Sequence, residues 1–174
     1  MTISIEHMTS FSARADSVYS AQVDPAFLKD RLKAVGGPQA ELVGQKKSAS
    51  GVTVRLRQGV PARQLPSAVR SFLSGDLVVT REEFWRGVVE GEFEGSVFEG
   101  RMRAMIPGVP GEITARTRVA DLAEGGSEWV ATAAIRVNIP LLGAKVESLL
   151  AEQVRKLMAA ETEFTGTWLA DRKS

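Results

Sequence analysis

The 174-residue sequence contains no cysteine and a single histidine, His7. The absence of cysteine excludes disulfides and thiolate metal sites, and it fits a reducing compartment. One histidine without cysteine cannot supply the three nitrogen or sulfur ligands of a common zinc site. The sequence also lacks an Asp-x-Asp-x-Asp-Gly calcium loop, a Gly-x-Gly-x-x-Gly turn and a Walker motif. We therefore expect neither a metal site nor a cofactor.

Long apolar runs and an excess of one charge are also missing. No stretch approaches the roughly 18 apolar residues of a membrane span, and the N-terminus lacks the basic and apolar regions of a signal peptide. The 22 basic and 21 acidic residues nearly cancel, which gives no general attraction to nucleic acid or to an acidic membrane. These absences predict a soluble cytoplasmic protein with no transmembrane segment and no nucleic-acid partner.

What is present favours one well-packed domain. Apolar residues make up 44% of the chain, which is enough to bury a sizeable core at this length. No repeat, low-complexity tract or linker divides the sequence. We expect a single domain spanning residues 1–174, and the pattern specifies no oligomeric state.

The spacing of apolar residues predicts the order of elements. Strands are predicted at 3–11, 39–48, 51–60, 76–87, 92–106, 111–122 and 127–139, and helices at 15–22, 25–36, 66–73 and 142–169. Because the strands are clustered rather than alternating with helices, we expect an antiparallel sheet and the α+β class. The last helix, about 40 Å long, is long enough to cover a seven-stranded sheet.

Short motifs at the joints of these elements resemble a known fold. They are Asp24–Leu28, Pro107–Gly111, Pro140–Gly143, Glu147, and Glu161–Phe164 followed by Trp168. With the element order, they resemble the helix-grip fold shared by START lipid-transfer domains, Bet v 1-like pollen allergens and polyketide cyclases. Within that group the chain looks most like an actinobacterial family of unknown function, DUF2505. The resemblance implies two short helices after the first strand and a curved sheet of about seven strands wrapped around the C-terminal helix. It also implies an apolar cavity between that sheet and helix.

Nine residues on the predicted strands and the last helix are candidates for lining such a cavity. They are Val54, Leu56, Trp85, Phe93, Trp129, Ala133, Leu157, Glu161 and Phe164. Aromatic residues at such positions are more often plain core than a ligand platform. Alanines facing the long helix either let it approach closely or leave empty volume, and only the second outcome makes a pocket.

Two polar residues are the candidates for chemistry. Glu161 interrupts the apolar stripe of the last helix, so it must reach the cavity mouth, pair with a base or lose its charge. A structural ion pair, for which arginines of the strands are possible partners, or exposure at the edge is favoured over a ligand-facing acid. His7 would have to serve any catalytic triad alone, and no serine lies in a Gly-x-Ser-x-Gly turn. We name no catalytic residue.

Three functions remain open at this point. The first is a non-catalytic protein that binds a hydrophobic small molecule or lipid in the cavity. The second is a cyclase-, aromatase- or hydrolase-type enzyme that uses the same cavity, with Glu161 or His7 transferring a proton. The third is a protein whose core is filled and whose surface binds another protein. The lack of a catalytic motif favours the first.

Overall fold

The computed structural model describes residues 2–71 and 73–172. Its strands are β1 (Thr2–Phe11), β2 (Glu41–Ser48), β3 (Gly51–Val60), β4 (Leu77–Val88), β5 (Val97–Met105), β6 (Gly111–Asp121) and β7 (Ser127–Val137). Its helices are α1 (Ala15–Gln22), α2 (Pro25–Val35), α3 (Ser67–Arg70) and α4 (Gly143–Asp171), and a single 3-10 turn, Ala62–Gln64, precedes α3.

The strands form one antiparallel sheet in the order β1-β7-β6-β5-β4-β3-β2. From β2 to β7 each strand pairs with the next along the chain, whereas β1 pairs with β7, with Thr2 opposite Arg136. The 29-residue helix α4 packs against β1, β7 and the two early helices. The predicted α+β class and the helix-grip arrangement are confirmed.

The two early helices begin where the sequence predicts. The Asp24 side chain accepts a hydrogen bond from the backbone N–H of Ala26 at 2.9 Å, and Pro25 occupies the first helical position of α2. Both features satisfy or remove donors that the first turn of a helix leaves free. They direct α2 so that its buried residues face the inside of the sheet.

Two predicted boundaries are wrong. The strand expected from residue 92 begins only at Val97, because Gly91 and Gly95 both adopt positive φ and the Phe93 N–H turns back to the Glu90 carbonyl. Phe93 therefore lies in a loop and is 43% exposed. The helix expected over 66–73 is only the four-residue α3, and residue 72 lies outside the described residues.

The core of the described residues consists of three apolar clusters. One joins the first half of α4 to β1, β6 and β7, a second joins α2 to β3, and a third surrounds α1. Phe27, Leu28, Val54 and Leu56 are the centre of the second cluster, and Phe164 packs against it. These clusters leave open space between the middle of the sheet and α4.

Candidate functional site

A cavity of about 500 Å³ lies between the concave face of the sheet and α4. Its floor is built from small residues on three neighbouring strands of the sheet. Gly100, Thr117 and Ala131 lie side by side on β5, β6 and β7, and Ala115 lies opposite Ala133 one row further along. Because these side chains are short, the sheet leaves volume where larger residues would meet the helix. The cavity lies within the range of about 300 to 1,000 Å³ that is usual for small-molecule sites.

Trp85 forms one end of the cavity and depends on a glycine beneath it. The Trp85 side chain is almost fully buried, and its ring centroid lies 5.7 Å from that of Trp129. A Cβ placed on Gly100 would lie 2.8 Å from three atoms of the Trp85 indole. Only glycine at this position lets the indole lie flat against β5.

Replacing Gly100 with alanine is expected to push the Trp85 indole off β5. Overpacking of this kind costs about 1 to 3 kcal/mol, so we expect that loss in the free energy of unfolding, together with a shift in tryptophan emission. Urea denaturation and fluorescence measure both. The control is Gly44→Ala on β2, where an added Cβ meets nothing within 4 Å. An equal effect of the two substitutions would show that the Trp85 contact is not the cause.

The cavity opens to solvent between α2, the end of β3 and the middle of α4. Gly36 and Gly37 follow α2, and the Gly59 N–H donates to the Gly36 carbonyl at 2.8 Å. Gly37 has φ +73°, and a Cβ on it would lie 1.9 Å from the Gly59 oxygen, so the two backbones can approach only without a side chain. Lys156 of α4, whose side chain is 67% exposed, lies on the opposite rim.

One wall of the cavity is a buried network of four charges. Arg31 comes from α2, Arg81 and Glu83 from the inner face of β4, and Glu161 from α4. Arg81 Nη1 lies 3.0 Å from both carboxylate oxygens of Glu161, and Arg81 Nη2 donates to Glu83 at 3.2 Å. The network therefore joins the sheet to both helices that cover it.

Arg31 closes the network from the other side. Its Nη2 donates to Glu83 Oε2 at 3.2 Å, and its Nε lies 3.5 Å from Glu161 Oε2. Gln22 accepts from Arg31 Nη1 at 3.1 Å, and Gln58 bonds both Arg81 and Glu161. Each carboxylate thus contacts both guanidinium groups, and the two positive and two negative charges sum to zero.

The charges of the network stabilise one another against the effect of burial. Burial alone raises the pKa of Glu83, but Arg81 and then Arg31 outweigh it and hold the pKa of Glu83 below its usual value. Burial likewise lowers the pKa of Arg81, and Glu161 and Glu83 outweigh it, so the pKa of Arg81 is raised. Glu83 and Arg81 therefore remain charged at neutral pH.

The structure brings five of the nine candidate lining residues to the cavity. Trp85, Trp129, Ala133, Leu157 and Glu161 line it. The other four do not. Val54, Leu56 and Phe164 pack in the cluster under α2, because β3 is covered by α2 at this point, and Phe93 lies in the exposed loop before β5. Ligand binding by the five stays a prediction.

Glu161 is both ion-paired and part of the cavity wall. Its partner on the strands is Arg81, which is the type of pairing that the sequence analysis favoured. His7 is outside the cavity lining. Its Nε2 lies within hydrogen-bond distance of the Thr162 hydroxyl, at 2.9 Å, and that hydroxyl also lies within hydrogen-bond distance of two carbonyls of its own helix. This is the plain hydrogen bond expected of a histidine on a strand.

Sequence reasoning missed Arg31, Arg81, Glu83 and Thr117. A signal for the β4 pair was present. Arg81 and Glu83 lie at two-residue spacing from the inward residues Val79 and Trp85, which places all four on the same face of the strand. The signal was hidden because Glu82, between Arg81 and Glu83, is also charged. Nothing in the pattern of α2 marked Arg31 as buried.

Two further classes of site are absent from the described residues. Those residues contain no group of three or more histidine, aspartate or glutamate side chains placed to hold a metal ion. None of the described helices is long and apolar enough to cross a membrane.

Residues 6–169 match a family described as proteins of unknown function, DUF2505. The chain belongs to the DUF2505 family. The uncharacterized protein Rv0481c of Mycobacterium tuberculosis is 28% identical to this DUF2505 protein over 177 residues, covering 98% of this chain and 99% of its own.

Solved structures share the fold of this DUF2505 protein. TTHA0849 of Thermus thermophilus has a TM-score of 0.63 at 16% identity and covers 99% of this chain and 100% of its own. Norcoclaurine synthase of Thalictrum flavum, in complex with dopamine and hydroxybenzaldehyde, has a TM-score of 0.56 at 14% identity, covering 100% and 90%. At such identities the likeness shows the helix-grip fold alone.

Proposed function

We propose that this DUF2505 protein binds a hydrophobic small molecule or lipid in the cavity between the sheet and α4. The observation that carries the proposal is the cavity itself, of about 500 Å³, with a floor of small residues and a mouth beside Gly37. Floor residues such as Ala115, Ala131 and Ala133 offer no hydrogen bonds to water. An apolar ligand removes such surface from water at about 25 cal/mol per Å².

The packing of the cavity walls supports a ligand rather than a filled core. Side chains that face empty space lose dispersion contacts, and a ligand of matching shape restores them. Water is a poor substitute over the alanine floor, because a buried water needs two to four polar partners. The likeness to norcoclaurine synthase adds that a chain of this fold holds small aromatic molecules.

A binding role is better supported than catalysis by Glu161. Its carboxylate lies against two guanidinium groups and accepts a hydrogen bond from Gln58. A carboxylate engaged in this way is poorly placed to take or give a proton, since a general acid or base must reach the proton it transfers. His7 is also held by Thr162 and lies outside the cavity lining.

Native mass spectrometry of protein purified gently from its own host tests the proposal. We expect a stoichiometric adduct that is released on denaturation and that an apolar solvent extracts. Bare protein, even after incubation with an extract of hydrophobic metabolites, would contradict it. In that case the third function, interaction through the surface, would gain support.

Filling the cavity is expected to abolish that adduct. Ala115→Phe places a ring over the floor, where Ala115 faces the cavity opposite Ala133, and we expect ligand occupancy to fall at least tenfold. The control is Ala134→Phe on the outer face of the neighbouring strand β7, where the register places it opposite Thr114. Native mass spectrometry compares the two variants, and thermal unfolding checks that both fold. Equal occupancy in the two would place the ligand outside the cavity.

A further inference from the structure

We infer that the cavity selects a neutral ligand whose oxygen is hydrogen-bonded by Thr117, and that it discriminates against anionic lipids such as fatty acids. The inference rests on the proposed function, because it concerns the chemistry of the molecule held in that cavity. Two observations carry it. One is a hydroxyl in the cavity floor that has no partner among the described residues, and the other is a charged wall whose charges are already balanced.

Thr117 is the polar group of the floor. It lies between Gly100 and Ala131 in the register of these neighbouring strands, and Trp129 is its diagonal neighbour on β7. The short neighbours leave its hydroxyl uncovered. Thr117 is half-buried, and within residues 2–71 and 73–172 no hydrogen bond to its hydroxyl is formed. A ligand oxygen is a suitable partner, because a hydroxyl both donates and accepts.

Most of the other interior polar side chains of the lining are already engaged. Gln22 and Gln58 bond the arginines of the network, and Thr165 donates to the Glu161 carbonyl on its own helix. Thr162 bonds helix carbonyls and His7. The Trp85 indole N–H also has no hydrogen-bond partner, but protein atoms cover it. Among the described groups of the cavity floor, Thr117 is therefore the one left to orient a ligand.

The charged wall offers no site for an anion. Each guanidinium faces two carboxylates. The Nε groups of Arg31 and Arg81 have no hydrogen-bond partner, but protein atoms cover them, so a ligand in the cavity does not reach them. A fatty-acid carboxylate in this cavity would add a third negative charge next to Glu161. Burying an unpaired charge is far more costly than burying a hydroxyl or a carbonyl. The ligand class that fits is a largely apolar alcohol or ketone.

The inference is tested with dodecanol and dodecanoate by isothermal titration calorimetry at pH 8. The wild-type protein is expected to bind dodecanol at least tenfold more tightly than dodecanoate. Thr117→Val keeps the shape but removes one hydrogen bond, so dodecanol affinity should fall about three- to tenfold. Thr117→Ser should restore it. The control, Thr114→Val, lies on the opposite face of the same strand and should change nothing.

A second variant tests the charged wall. Glu161→Gln removes one negative charge and leaves Arg81 and Arg31 with Glu83 alone, so we expect the preference for dodecanol over dodecanoate to fall at least tenfold. The Thr117 series does not depend on whether this variant folds. Equal affinity of the wild type for both probes would overturn the inference. Dodecanol binding that Thr117→Val does not alter would overturn it as well. Either result would leave the proposed function standing.

The mouth of the cavity offers an alternative that the same experiment detects. A carboxylate held at the rim by Lys156 would show as tight dodecanoate binding that Lys156→Ala removes, and that result would also overturn the inference. Binding of neither probe by protein freed of any endogenous ligand would overturn the proposed function and the inference together.

Discussion

Replacing Glu83 with alanine is expected to lower the free energy of unfolding by about 3 to 5 kcal/mol. Removing one partner of a buried ion pair has a cost of this size because the other charge stays buried without compensation. Here two guanidinium groups are affected, since Glu83 contacts both Arg31 and Arg81, and all three side chains are at least 89% buried. The loss should appear as a lower urea midpoint with an unchanged slope.

The adjacent residue provides the control for this prediction. Glu82 points to the outer face of β4, where it pairs with Arg55, and both side chains are more than half exposed. Exposed pairs contribute about 0 to 1 kcal/mol, so Glu82→Ala should change stability little. Similar losses from the two substitutions would mean that burial of the network is not what makes Glu83 important.

The same network predicts how stability depends on pH. The pKa of Glu83 is below its usual value in the folded protein. Its stabilising contribution is therefore fully present above the unfolded pKa, about 4.3, and is lost as the pH falls through the lower folded pKa. Stability measured between pH 6 and pH 2 should fall less steeply in Glu83→Gln than in the wild type. Parallel curves of stability against pH for the two proteins would contradict the pairing of Glu83 with the two arginines.

Asp121→Ala is expected to destabilise the protein by about 3 kcal/mol. The carboxylate of this residue, at the end of β6, accepts hydrogen bonds at 2.8 Å from the backbone N–H groups of Ala15 and Ser96. Each buried donor left without a partner costs about 1 to 3 kcal/mol. Asp121 thus ties the start of α1 and the start of β5 to one strand, and alanine releases both.

A substitution at Arg14 distinguishes the contribution of the ion pair of Asp121 from that of its hydrogen bonds to the backbone. The Arg14 guanidinium also donates to Asp121 at 2.8 Å, but the arginine side chain is 57% exposed. Arg14→Ala should therefore cost less than about 1 kcal/mol, and chemical denaturation of the two variants distinguishes the contributions. If Arg14→Ala is as damaging as Asp121→Ala, the ion pair rather than the backbone bonds dominates.

Acid should weaken the Asp121 site as well. Burial by itself would raise the pKa of Asp121, but the N–H groups of Ser96 and Ala15, together with Arg14, outweigh it and hold the pKa below its usual value. The contribution is present above the unfolded pKa and is lost as the pH falls through the folded one. Chemical shifts of the Ala15 and Ser96 amides, followed by NMR from pH 6 to pH 2, should report this titration.

The fold could be predicted because each element carries a local signal. The alternation of β7, with Trp129, Ala131 and Ala133 on one face, identifies both the strand and its inner side. The Asp24-Pro25 start of α2 has a physical cause that acts within one turn. The prediction that Phe93 lies on a strand was wrong because alternation alone cannot distinguish the beginning of a strand from a loop that contains glycines with positive φ.

The site was only partly predictable, since it depends on which elements meet in three dimensions. Val54 and Leu56 alternate correctly toward the inside, but α2 rather than α4 covers them. The network needs Arg31, Glu83 and Glu161 from three separate elements, and no local pattern records their meeting. Thr117 is informative only once its neighbours across the sheet are known to be glycine and alanine.

The pairing of β1 with β7 has a consequence for the order of folding. The first strand leaves the ribosome before the other strands of the sheet, and its partner, Ser127–Val137, follows more than a hundred residues later. Strands β2 to β7 can form successive hairpins as they emerge, whereas β1 must wait for the longest loop closure in the sheet. We therefore expect β1 to stay unpaired until β7 has emerged, and the cavity floor to stay exposed until α4 follows and covers it. During that interval they are the surfaces most open to chaperones or to aggregation.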